Sequence, residues 1–200
     1  MEVHVMGRFS SLLIAIMLLV MPAAVGAQDR PLKIKSKSGT TKVVDKSKSV
    51  RRELEALYAK RAQAVRDKDW PTLRALVTDD YTVVLPDGQT MQPEQAIAYL
   101  QRGLEQFVSV INLTFTLETI NLNGNEAQVD ARQNFIRTQK LRDGKVHTVT
   151  SGVIQRETWS KTPTGWKHRL TDNIREQRVT VDGVPVDPNK PYNPGGRQQQ

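Results

Sequence analysis

From Phe107 to Val181 the chain is a succession of long segments with the two-residue period of β-strands, broken by short turn signals. In Phe107–Leu122, Ile111, Leu113, Phe115 and Leu117 share one face and Asn112, Thr114, Thr116 and Glu118 the other, as in a half-buried strand. Asn123-Gly124-Asn125 is a hairpin signal, and Glu126–Thr138 resumes the alternation with Ala127, Val129, Ala131, Gln133 and Phe135 on one side. Arg142-Asp143-Gly144-Lys145 turns the chain into His147–Lys161, and the loop Lys161–Gly165 turns it into Trp166–Val181. Four long strands joined by short turns run antiparallel, and their apolar face requires a cover.

The preceding residues supply that cover as helices. In Val50–Asp67, Leu54, Leu57, Tyr58, Ala62 and Val65 form an apolar stripe, with Arg51, Arg52, Lys60, Arg66 and Lys68 mostly outside it. Asp69 is a good N-cap, Pro71 falls in a first turn, and Leu73, Leu76 and Val77 give a short helix its buried side. Asp79-Asp80 ends that helix, Tyr81–Leu85 is rich in strand formers, and Pro86-Asp87-Gly88 is a turn. Gln92-Pro93-Glu94 opens a third helix whose buried face carries Ala96, Ile97 and Leu100. The expectation is an α+β fold, a cone-like curved antiparallel sheet wrapped around three N-terminal helices and enclosing a pocket.

The ends read differently. Arg8 precedes the apolar run Leu12–Val20, and Val25-Gly26-Ala27 offers small residues for cleavage, so residues 1–27 are expected to be a signal peptide and the protein periplasmic or secreted. The net charge of +8 is concentrated in one place: residues 28–52 hold nine Lys and Arg against Asp29 and Asp45, whereas residues 53–185 hold 17 of each sign. Residues 28–50 are therefore expected to be a basic flexible arm, a solvated spacer or a contact for an anionic surface. A globule without net charge gives no support to nucleic-acid binding. Residues 183–200, rich in Pro, Gly and Gln, are expected to be a disordered tail, leaving 51–182 as the domain. With no cysteine, disulfides, thiol catalysis and Cys-based metal sites are excluded, and with only three histidines no metal or other cofactor is expected.

The motif run DKDWPTLRALVTDDYTVVLPDG (Asp67–Gly88), with the order and spacing of elements over about residues 50–182, resembles the nuclear transport factor 2-like superfamily. The resemblance is nearest to its small domains of unknown function, beside the polyketide-cyclase-like and ketosteroid-isomerase-like proteins. It implies a cone with an open mouth and a homodimer formed through the convex sheet face. It argues against steroid isomerisation. When the family's helix-end Asp is set on Asp69 and its Asp-Asp on Asp79-Asp80, the catalytic tyrosine position is Arg61 and the general-base position is Leu85. Neither side chain can do that chemistry.

The last hairpin suggests where polar groups gather. If Trp159 faces Trp166, then Glu157 meets His168, Gln155 meets Leu170 and Val153 meets Asp172, all on the concave face. Asp172 and His168 are then the candidate catalytic groups. Tyr58, Trp70, Tyr81, Tyr99, Gln133, Gln155 and Glu157 are the candidate ligand contacts, and Arg156, Thr158, Lys167 and Arg169 face solvent or a partner subunit. The Glu157–His168 pair could equally satisfy itself at the rim. Three readings follow: a domain binding a small, largely apolar molecule; an isomerase, cyclase or dehydratase using Asp172 or His168; and a non-catalytic dimeric interaction module.

Overall fold

The computed structural model describes residues 40–187, apart from the side chains of 40–46 and 176–177. The expected signal segment, residues 28–39 of the arm and residues 188–200 of the tail lie outside the described residues. The elements are α1 (Thr40–Asp67), α2 (Trp70–Ala75), β1 (Val77–Val84), β2 (Thr90–Met91), α3 (Pro93–Glu105), β3 (Phe107–Asn123), β4 (Glu126–Lys140), β5 (Val146–Thr162), β6 (Gly165–Val181) and β7 (Val184–Val186). They form an α+β fold in which one curved, unclosed sheet, ordered β2-β1-β6-β5-β4-β3 with β7 against β6, wraps the helices.

The helices sit where their stripes require. Leu54, Tyr58, Ala62 and Val65 of α1 are buried. Leu54 and Tyr58 pack with Ala127, Val129, Ala131 and Trp159 of the sheet. Ala62 and Val65 join Leu73, Leu104, Leu113 and Phe135 in a second cluster that ties all three helices to β3 and β4. Truncating a fully buried Leu such as Leu54 or Leu104 to Ala should cost about 2–5 kcal/mol. Asp69 caps α2 by accepting a 3.0 Å bond from the Thr72 N–H, and the Gln95 side chain accepts from the Gln92 N–H at 2.9 Å to start α3.

Several boundaries move. Thr40–Val50, expected within the flexible arm, belongs to α1, and Val50 is buried in the core because the apolar stripe continues one turn further back. At the other end, Val184–Val186 is not tail but a short strand turned back onto Val179–Val181, with Gly183 in the left-handed conformation that the turn needs. Strand β1 begins at Val77, ahead of the exposed Asp79-Asp80, which sit in the strand and do not end a helix. It pairs with β6 in parallel, so the sheet is not wholly antiparallel. Ile111, expected in the apolar row of β3, is exposed: the register shifts between Val110 and Asn112 and turns it outward, while Leu113 and Leu117 remain buried.

Candidate functional site

A cavity of about 250 Å3 lies between the concave face of the sheet and helices α2 and α3, with one side reaching α1. Its walls are mostly apolar, with Leu73 from α2 and Leu76 just after it, Leu100 and Leu104 from α3, and Phe115 and Phe135 from the sheet. Strand β4 supplies a row at period two: Gln133, Phe135, Arg137 and Gln139 all line it. Gln155, His168, Tyr81 and Arg61 converge at the end nearest α1.

The polar end is built on Glu157, which is fully buried behind the lining. Its carboxylate accepts from Arg61 at 3.0 and 2.9 Å, from the Tyr58 hydroxyl at 2.8 Å and from the Gln155 amide. Burial alone would raise this carboxyl, but the positive charge of Arg61 outweighs it and holds the group down at about 2. Burial by itself would lower the pKa of Arg61, but Glu157 reverses the shift and raises it. The guanidinium lies over Tyr58 and Phe115, 4.6 and 4.2 Å from the ring centroids, and its Nε has no hydrogen-bond partner.

His168 is stacked on Trp159 at 4.9 Å and is buried. Arg61 Nη1 lies 3.3 Å from its Nδ1 and can only donate, so Nδ1 accepts and the proton of the neutral ring sits on Nε2. Nε2 donates to the Leu170 carbonyl at 3.0 Å and lies 3.1 Å from Thr171 Oγ1. Burial pushes the imidazole down to about 4, so at neutral pH it is uncharged. The Tyr81 hydroxyl is 3.2 Å from the same Thr171 Oγ1, and burial lifts its pKa to about 12.

The candidate residues thus divide. Tyr81, Tyr99, Gln133, Gln155 and His168 line the cavity. Tyr58 and Glu157 stand behind it as the buried support of Arg61, and Trp70 packs in the core cluster of α2. Asp172 is elsewhere. The hairpin pairs Trp159 with His168, not with Trp166, and the register slips again between Thr158 and Trp159, pairing Glu157 with Thr171 and Arg156 with Asp172. That odd-numbered slip carries Asp172 to the convex face, where Arg156 donates two hydrogen bonds to it at 2.7 and 2.8 Å. Glu157 and His168 still meet, at 3.5 Å, although they are not opposite one another.

Two cavity residues have roles that the sequence reading did not assign. Arg61 appeared only as a residue unfit for isomerase chemistry, yet it falls seven residues after Leu54 on the buried side of α1 and is the charged centre of the site. Arg137 continues the Ala127-to-Phe135 row by one more alternation, and that row carries it into the cavity wall.

The SnoaL-like domain family matches residues 47–171. Among solved structures, two named as putative dehydratases share the fold. A scytalone dehydratase from Novosphingobium aromaticivorans is 16% identical, with TM-score 0.58 over 78% of this chain and 99% of that one. An NTF2-like family member from Streptomyces avermitilis is 14% identical, with TM-score 0.53 over 70% and 98%. The Kfla4162 protein from Kribbella flavida is 16% identical, with TM-score 0.56 over 66% and 94%. None of the curated proteins matches the chain. A family match over more than half of the sequence agrees with the curved sheet and the cavity beneath it: the chain belongs to the SnoaL-like domain family of the nuclear transport factor 2-like superfamily.

Proposed function

We propose that this domain binds a small, largely apolar molecule in the cavity between the sheet and α2–α3. The observation that carries the reading is the closure of the polar cluster beneath a mostly apolar chamber. Glu157 is engaged by Arg61, Tyr58 and Gln155, and both ring nitrogens of His168 have partners within 3.3 Å. A group that serves as general base needs a free lone pair within reach of the substrate, and neither residue offers one in this arrangement. A chamber of about 250 Å3 suits a molecule of one or two rings or a medium-length chain, at the small end of ligand pockets. The test is native mass spectrometry and thermal-shift screening of the purified protein. A co-purifying small molecule, or a Tm rise with apolar compounds of this size, is the expected result; a chamber that takes none of them overturns the reading.

A second reading, an isomerase- or dehydratase-type enzyme, draws on the relatives and on one local feature. Tyr81, Thr171 and His168 form a hydroxyl–hydroxyl–imidazole chain with steps of 3.2 and 3.1 Å, and all three line the cavity. Such a relay orients the Tyr81 hydroxyl, which can then donate to an oxygen of a bound substrate. Turnover in a dehydratase or isomerase assay that disappears in Tyr81→Phe and His168→Asn, with binding retained, would favour this reading.

A further inference from the structure

The cavity carries a cation that no acidic side chain neutralises among the described residues. Arg137 lies in the wall of the cavity, is 8% exposed, and among the described residues is held by neutral groups: its Nε donates to Gln139 Oε1 at 3.3 Å and its Nη1 to Ser151 Oγ at 2.9 Å. The guanidinium lies over Phe107 and Phe135, 4.7 and 5.1 Å from their centroids, which fixes its plane without cancelling its charge. No Asp or Glu lines the cavity among the described residues, and the buried Glu157 is already spent on Arg61. Burial lowers the Arg137 pKa to about 10, so the group stays charged at neutral pH.

This is unlike Arg61, whose charge is met in full. Nearly all buried charges in proteins are paired, because an isolated ion in a low-dielectric site is strongly disfavoured. A guanidinium held rigid by aromatic rings, with Nη2 unclaimed among the described residues, is a preformed fork for a carboxylate. Arg137 also sits away from the Arg61 end. Gln133 and Arg137 are four residues apart on one strand, which is about 13 Å of β4, with Phe135 between them. The chamber therefore has a neutral polar end, an apolar middle and a cationic end.

We propose that the ligand is an apolar monocarboxylate, an aryl or alkyl organic acid whose carboxylate is bound by Arg137 while its apolar body lies along Phe135 towards His168. This rests on the cavity-binding reading above and adds the charge and orientation of the ligand. Calorimetric titration of the full chain with decanoate and 1-decanol, and with 2-naphthoate and 2-naphthol, compares acid with neutral partner in chain and ring form. The acids should bind about 10- to 100-fold more tightly, the span of a charge-assisted hydrogen bond. Arg137→Gln should remove that preference and leave the alcohols unchanged, while Arg137→Lys keeps most of it. The comparison within the unaltered protein needs no variant to fold, and whichever acid binds best tells an alkyl source from an aryl one. Equal affinity for acid and alcohol would overturn the anionic assignment and leave the apolar cavity standing. If none of the four binds, both readings fall.

Discussion

Arg61 on α1 and Glu157 on β5 are 96 residues apart in the chain and are joined by two parallel hydrogen bonds of 3.0 and 2.9 Å, with Glu157 fully buried. The fork of one guanidinium on one carboxylate pins the long helix to the middle of the sheet and sets the floor of the cavity. Removing one partner leaves the other charge buried and alone. Glu157→Leu and Arg61→Met should each destabilise by about 3–5 kcal/mol in urea unfolding, whereas the double variant should recover most of that loss. Additive losses would show that the two side chains act separately.

The two described histidines should titrate on opposite sides of the ordinary value of 6.5. Burial holds His168 down at about 4, while His147, accepted by Asp182 at 2.7 Å and Asp143 at 2.8 Å, is raised. Imidazole proton resonances followed by NMR against pH should show this split. Coincident titrations would contradict it.

Stability should follow from the same shifts. Between pH 6.5 and about 4 the unfolded chain takes up a proton at His168 that the folded chain refuses, so stability falls as the pH drops. Glu157, held at about 2 against 4.5 unfolded, adds a further loss below pH 4.5. His147 acts in the other direction: its contribution is complete below 6.5 and is lost as pH rises through its raised value. Denaturation midpoints from pH 3 to 9 should thus decline steeply on the acid side, and His147→Gln should remove the alkaline component.

Asp172→Asn should leave cavity binding unchanged. The residue is on the convex face, tied to a partly exposed Arg156, within a lattice of cross-strand pairs that includes Glu118–Arg132 and Asp130–Arg175. Pairs of this exposure contribute at most about 1 kcal/mol. A loss of ligand affinity in Asp172→Asn, measured by calorimetry, would return this residue to the site.

Tyr81→Phe separates the two functional readings. It removes the hydroxyl 3.2 Å from Thr171 and keeps the ring that packs 4.8 Å from His168. A binding domain should hold its ligand within a few-fold, whereas an enzyme using the relay should lose turnover with binding intact.

The period-two row Ala127, Val129, Ala131, Gln133, Phe135 and the stripe Leu54, Tyr58, Ala62, Val65 were legible because each depends only on local backbone geometry. Extended by its own logic, the strand row reaches Arg137, and the helix stripe takes in Arg61. What each of these cations meets was not legible. Whether Arg61 finds Glu157, and whether Arg137 finds Ser151 and Gln139, depends on strand partners brought together across the fold.

The side on which Asp172 lies was decided by the tertiary structure alone. The pairing of β5 with β6 steps by one residue at Thr158–Trp159 and shifts again between Arg156 and Ile154 and between Ile154 and Gly152, so the face of each later residue cannot be counted from the turn. Sequence thus determined the three helices and the four long strands from Phe107 to Val181, whose patterns are local. Curvature and register, which sum over many distant contacts, decided which charges face the cavity.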